Sequence, residues 1–155
     1  MMKTALKFAH KMIEEIYEES RVVEAFVNER FKQVQEIAAA IWSKQYEMVY
    51  ITGSGTSYHA GLAGQYTLST LTRFTTSLIP ASEFPMWVPS TPARKSLLIA
   101  VSQSGESSDV IAAATAALDK GIDVLAITST PNSTLMKMAQ YTLLTEAGEE
   151  LAVTA

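Results

Sequence analysis

The chain has 155 residues, of which 48% are hydrophobic and none is cysteine, and its formal net charge at pH 7 is −4. This length fits one globular domain, which buries roughly 68–70% of the surface that its unfolded chain would expose. The acidic balance argues against a nucleic-acid-binding surface, the lack of cysteine excludes disulfides and thiolate metal sites, and no apolar run approaches the roughly 20 residues of a membrane span.

Residues 1–47 predict an N-terminal helical segment that packs on the core or on a partner chain. They lack the apolar core of a signal peptide, which favours a cytoplasmic protein. They carry 15 of the charged side chains, against 13 in the other 108 residues, as is typical of solvated helix surface. Apolar residues recur at helical spacing, first at Phe8, Met12 and Ile16, and then at Val23, Val27, Phe31, Val34 and Ile41. Ser20 lies between the two stripes as a candidate N-cap, so two amphipathic helices are expected.

From residue 48 the pattern changes to short apolar runs that alternate with helical stretches. The predicted strands are 48–52, 74–79, 96–101, 122–128 and 141–145, and the predicted helices are 57–71, 107–119 and 133–139. Alternating strands and helices predict right-handed crossovers and a parallel sheet. We therefore expect residues 48–155 to form an α/β domain, a three-layer doubly wound, flavodoxin-like sheet of about five parallel strands. The proline-rich segment 80–96 predicts a loop with one helical turn, and Gly121 the end of a helix.

Two of the strand–helix junctions carry small hydroxyl residues. The first loop, residues 53–57, reads Gly-Ser-Gly-Thr-Ser, and the second loop, residues 102–107, reads Ser-Gln-Ser-Gly-Glu-Ser. Hydroxyls, a side-chain amide and the free N–H groups of a helix start all donate hydrogen bonds to an anion. Because open α/β sheets bind ligands at the carboxyl ends of their strands, the pair of loops predicts a phosphate site made of uncharged donors.

Several of these residues also have a plain structural interpretation. The first loop is not a dinucleotide fingerprint, since Tyr58 stands where the third glycine would be. His59 and Glu106 are the candidates for acid–base catalysis, but a histidine there also fits a capping role and a carboxylate also fits the first turn of a helix. The glutamates at 146, 149 and 150 have no histidine nearby, so no metal site is expected. No cofactor is expected either.

The two loops resemble motifs of the SIS (sugar isomerase) family, in particular the isomerase region of glucosamine-6-phosphate synthases. Members carry G-x-G-T-S after the first strand and S-Q-S-G-E-[ST] after the third, as this chain does at 53–57 and 102–107. The segment Ala81-Ser82-Glu83-Phe84 and the final residues 147–155 resemble two further family motifs. The likeness covers residues 48–155 and identifies that region as the first of two SIS lobes.

The resemblance implies a function and a set of site residues. By this resemblance, the phosphate is bound by Ser57, Ser102, Gln103, Ser104 and Ser107. The sugar lies along Ser54, Gly55 and Thr56. Val153 lies beside the reacting end of the sugar, and Glu150 lies near its hydroxyls or a subunit interface. The family's ring-opening histidine, enolising glutamate and Schiff-base lysine belong to a second half, so this chain alone is expected to bind without turnover. The implied protein is a homodimeric phosphosugar isomerase, aminotransferase or deglycase, and the alternative is a non-catalytic phosphosugar sensor.

Overall fold

A computed structural model describes residues 11–92, 95–145 and 147 of the chain. The strands are β1 Met48–Thr52, β2 Thr75–Leu78, β3 Ser96–Val101, β4 Asp123–Thr128 and β5 Tyr141–Leu144. The helices are α1 Lys11–Lys44, α2 Thr56–Leu71, α3 Phe84–Trp87, α4 Ser108–Asp119 and α5 Thr134–Met138. Each predicted strand is present within two residues of its expected ends, and α3 is the helical turn predicted in the proline-rich segment.

The five strands form one all-parallel sheet in the order β2-β1-β3-β4-β5. This is the flavodoxin-like order, in which the chain winds outward in one direction from β1 and in the other from β3. The direction of winding therefore changes between β1 and β3, which are hydrogen-bonded neighbours. The α/β fold class predicted from the sequence is confirmed.

Two apolar cores, one on each face of the sheet, account for the three layers. Alternate strand residues such as Tyr50, Leu98 and Val124 pack under α3, α4 and α5, while their neighbours Val49 and Leu97 belong to the opposite core with residues of α1 and α2. This follows from the two-residue period of a strand, which sends successive side chains to opposite faces. Because both faces are covered, the three central strands β1, β3 and β4 are largely apolar, whereas the edge strand β2 is mostly polar.

The N-terminal segment forms one continuous helix, so the prediction of two helices broken at Ser20 is wrong over the described residues. α1 runs for 34 residues through Ser20, at an interior position. Its apolar residues keep the alternating three- and four-residue spacing on both sides of that serine, and an interior serine costs a helix only a few tenths of a kcal/mol. No α-helix of the described residues combines the length and the apolar character needed to cross a bilayer.

Only the C-terminal part of α1 packs on the sheet. Ile37 and Ile41 pack against the core on that face, and the Gln33 side-chain amide donates to the Thr142 carbonyl at 3.2 Å. Nearer the N-terminus, Val23 and Val27 are 61% and 54% exposed, although they continue the same stripe. This apolar stretch therefore extends past the edge of its own domain.

Candidate functional site

The two hydroxyl-rich loops leave the same edge of the sheet, side by side. β1 and β3 are paired in parallel with Thr52 opposite Ala100, and each strand runs into its loop within two residues of that pair. Neighbouring strands are about 4.8 Å apart. The loops therefore meet at the point where the winding changes direction, which is where sheets of this type bind their ligands.

The first loop is a tight turn held against the start of α2. A Cβ on Gly53 would lie 2.9 Å from the carbonyl carbon of Ser57, so a side chain there would collide with the helix backbone. The Gly53 carbonyl accepts the N–H of buried Ala81 at 3.1 Å, which ties the segment after β2 to this loop. Ser54, Gly55 and Thr56 are exposed at the loop surface, and Ser57 is half-buried.

Neither α2 nor α4 is capped by a side chain where it starts at this edge. α2 begins after Gly55 and α4 after Ser107, and neither N-cap residue accepts a hydrogen bond through its side chain. At the start of α5, by contrast, the Ser133 hydroxyl accepts the Met136 N–H. In α2 the Tyr58 N–H already bonds the Gly55 carbonyl at 3.1 Å. The N–H groups before Tyr58 and the first N–H groups of α4 therefore remain suited to an anion from outside.

Hydroxyls of the second loop also shape the loop itself. Ser102 is buried, and its Oγ accepts the Gly105 N–H at 3.1 Å. The exposed Ser104 accepts the Glu106 N–H through its Oγ at 3.2 Å. A hydroxyl that accepts a backbone N–H keeps its own proton to donate, so both serines can still bind an oxyanion. Gln103 and Ser107 complete the loop, both half-buried.

The residues at the end of β4 form hydrogen bonds with the second loop. We call residues 128–135 the β4–α5 segment. The Gln103 carbonyl accepts hydrogen bonds from Thr128 Oγ1, the Ser129 N–H and Thr130 Oγ1 at 3.0, 3.0 and 3.3 Å. The Gly105 carbonyl accepts the Leu135 N–H at 3.0 Å. These residues were not among the sequence candidates, although residues 128–134 contain five hydroxyls in seven positions at a strand end.

Glu106 lies outside the helix in which it was expected. α4 starts at Ser108, so the prediction that this carboxylate sits in the first turn is wrong. Its Oε1 accepts the Thr134 backbone N–H at 2.8 Å. That hydrogen bond, with help from the Thr134 hydroxyl and the charge of Lys137, lowers the pKa of the Glu106 carboxyl. A carboxylate with a lowered pKa is a weak general base.

His59 is the fourth residue of α2, and its ring contacts the backbone at the start of the helix. Its ring Nδ1 lies 3.0 Å from the Gly55 carbonyl oxygen, to which a protonated Nδ1 donates. The ring is exposed and meets Tyr58 edge-on, with the ring centroids 5.8 Å apart. These contacts fit a purely structural role for His59. A catalytic role for His59 stays a prediction.

The remaining predicted site residues, Glu150 and Val153, lie outside the described residues. In the part of the chain that the structure describes, no three His, Asp or Glu side chains come together as a metal site would require. Glu106 is the only charged residue of the two loops. An anion held by the two loops themselves would thus be bound by hydroxyl, amide and backbone N–H donors.

Comparisons with known proteins agree with this geometry. The SIS domain family model matches residues 43–155. The chain is 34% identical over 148 residues to glutamine–fructose-6-phosphate aminotransferase [isomerizing] of Pyrococcus horikoshii, covering 96% of this chain and 24% of that protein. It is 36% identical over 152 residues to the protein of the same name from Clostridium tetani, covering 94% of this chain and 25% of that protein. The chain thus spans about a quarter of the length of these curated relatives.

A solved structure extends the likeness to three dimensions. The C-terminal domain of glucosamine-fructose-6-phosphate aminotransferase from Francisella tularensis matches with a TM-score of 0.83 and 26% identity, over 92% of this chain and 41% of that one. The family match includes the whole sheet and both hydroxyl-rich loops. The chain belongs to the SIS domain family.

Proposed function

We propose that this chain is the phosphate-binding lobe of a protein that isomerises, aminates or deaminates a hexose phosphate or amino-sugar phosphate. The observation that carries the proposal is the pair of hydroxyl-rich loops at the junction of β1 and β3, each leading into a helix without a side-chain cap. The names of the relatives support the substrate class, since both curated relatives are called fructose-6-phosphate aminotransferases.

The chemistry of the site suits the phosphate end of such a substrate. Ser57, Ser102, Ser104 and Ser107 supply hydroxyls, and α2 and α4 direct their first N–H groups to the same edge. Binding energy gained at the phosphate, which does not react, fixes the position of the carbons that do. We place the sugar along Ser54, Gly55 and Thr56. As the family resemblance implies, Val153 would lie beside its reacting end, and Glu150 near its hydroxyls or a subunit interface.

Replacing Ser104 with alanine tests this assignment. The change removes an exposed donor and leaves the strands intact, so the affinity for fructose-6-phosphate should fall by about 5- to 150-fold, or on the order of 1–3 kcal/mol. Isothermal titration calorimetry measures the affinity directly. Ser43→Ala is the matched control, because Ser43 bonds the Ala40 carbonyl at the end of α1, at the opposite edge of the sheet. Equal affinity in wild type and Ser104→Ala would contradict the assignment.

We further propose that the protein is a cytoplasmic homodimer in which α1 pairs with α1 of a second copy. The supporting observation is the continuous stripe of α1, whose C-terminal part is buried on its own sheet while Ile16, Val23 and Val27 are at least half-exposed. A twofold contact lets such a stripe cover itself. The absence of cysteine from the chain fits a reducing compartment.

Two charges on the stripe should separate the copies. The variant Val23→Glu/Val27→Glu is expected to give a monomeric mass by light scattering at tens of micromolar, where the wild type gives a dimeric mass. Gln35→Glu adds a charge on an exposed position of α1 off the stripe and should leave the dimer unchanged. A monomeric wild type, or a double variant that remains dimeric, would contradict this interface.

A further inference from the structure

The start of α5 uses its backbone donors to hold the second loop. A helix start leaves its first N–H groups without partners inside the helix. Here the Thr134 N–H bonds Glu106 Oε1, the Leu135 N–H bonds the Gly105 carbonyl, and the Met136 N–H bonds the Ser133 hydroxyl. Two successive donors thus hold two successive residues of the loop.

A second anchor holds the other end of the same loop. Three donors from Thr128, Ser129 and Thr130 converge on the Gln103 carbonyl. Gly105, which belongs to the first anchor, also packs against the buried Ser133 side chain. The two candidate phosphate ligands Gln103 and Ser104 are therefore positioned by residues that belong to a different strand end.

The bond to Thr134 also fixes a negative charge. Glu106 is the one charged residue of the two loops, and it lies between Ser104 and Ser107. A carboxylate free to turn toward a bound phosphate would oppose it by like-charge repulsion. The Glu106 carboxylate instead accepts the Thr134 N–H, which has no partner within α5, and this hydrogen bond keeps the negative charge at a fixed position. Its lowered pKa, caused chiefly by that N–H, is consistent with a group that stays ionised.

We propose that Glu106 is a positioning residue, which sets the conformation of the second loop through its hydrogen bond to the Thr134 N–H and does not touch the substrate. This inference rests on the proposed function, because it assumes that the second loop binds a phosphate. It assigns to the β4–α5 segment the role of a rigid support for that loop.

Proline at position 134 removes the proposed bond with little other change. Thr134 is the first residue of α5, a position that favours proline because its N–H has no partner within the helix. The preceding Ser133 has φ −59° and ψ 161°, an extended conformation compatible with a following proline. Thr134→Ala is the matched control, since it removes the same hydroxyl and keeps the N–H.

Titration of each variant with inorganic phosphate and with fructose-6-phosphate tests the proposal. Thr134→Pro and Glu106→Ala should each lower the affinity for both ligands by about tenfold or more. Thr134→Ala keeps the N–H donor and Glu106→Gln keeps an acceptor oxygen. The affinities of these two variants should therefore stay within about threefold of the wild-type affinity. The double variant Glu106→Ala/Thr134→Pro should bind no more weakly than the worse single variant, because both changes break one bond. Urea unfolding of each variant separates loss of binding from loss of folding.

The outcomes distinguish this inference from the proposed function. A wild-type chain that binds neither ligand overturns the proposed function and this inference with it. Suppose instead that the wild type binds the ligands. If Glu106→Ala then binds with equal affinity, or if the losses of affinity add up in the double variant, only the positioning role of Glu106 is overturned. If Thr134→Pro does not fold, the contrast between Glu106→Ala and Glu106→Gln decides, since only the alanine removes the acceptor.

Discussion

Replacing Gly105 with alanine is expected to reduce phosphate affinity by at least about a hundredfold and to lower the free energy of unfolding by on the order of 3 kcal/mol. Gly105 has φ +64°, in the left-handed region that a residue with a Cβ adopts only at a cost. An added Cβ would overlap Ser133 Oγ and lie 2.5 Å from Ser133 Cβ. Since Ser133 is buried, the second loop must move, and its hydroxyls move with it. Calorimetric titration with fructose-6-phosphate and urea unfolding measure the two effects.

Gly121→Ala is the control variant that separates two effects of Gly105→Ala, the steric clash of the added Cβ and the cost of a positive φ. Gly121 has φ +72°, close to that of Gly105, but a Cβ there would meet nothing within 4 Å. It lies between α4 and β4, at the opposite edge of the sheet. The control should lose about 1 kcal/mol of stability and keep its phosphate affinity. If Gly105→Ala behaves in the same way, the contact with Ser133 does not shape the site.

The fold and the position of the two candidate loops in it could be predicted because both depend on local patterns. Five short apolar runs separated by helical stretches define a parallel α/β sheet. Hydroxyl residues placed between a strand and a helix, as at 53–57 and 102–107, mark loops at the carboxyl edge. Neither inference needs knowledge of which distant residues meet.

The features that sequence reasoning missed depend on contacts between distant segments. Glu106 looked like a helix-start carboxylate, because nothing in its neighbourhood reveals a partner 28 residues away at Thr134. The β4–α5 segment showed a cluster of hydroxyls, but their target, the Gln103 carbonyl, is visible only in the folded chain. The predicted helix boundary at Ser20 was wrong for a local reason. The serine is a possible N-cap, but the apolar stripe continues past it, and the helix continues with the stripe.

The 155-residue chain is expected to bind fructose-6-phosphate without exchanging its carbon-bound protons. Proton transfer between C1 and C2 requires a base within hydrogen-bond reach of the substrate. The candidates for such a base that the sequence offers among the described residues are Glu106 and His59. The Glu106 carboxylate is held by the Thr134 N–H, with a lowered pKa, and His59 Nδ1 lies against the Gly55 carbonyl. Proton NMR in D₂O should therefore show the C1 proton signals of fructose-6-phosphate unchanged over hours with saturated protein.

Ser104→Ala is the control that makes this experiment decisive. A trace of isomerase from the expression host would exchange protons at the same rate in wild-type and variant preparations. Exchange catalysed by this chain would instead fall with the weakened binding of Ser104→Ala at subsaturating substrate. Exchange that responds to Ser104→Ala would contradict the prediction, and Glu106→Gln and His59→Gln would then identify the base. Because Glu106→Gln is expected to keep its affinity, a loss of exchange in that variant would report chemistry and not binding.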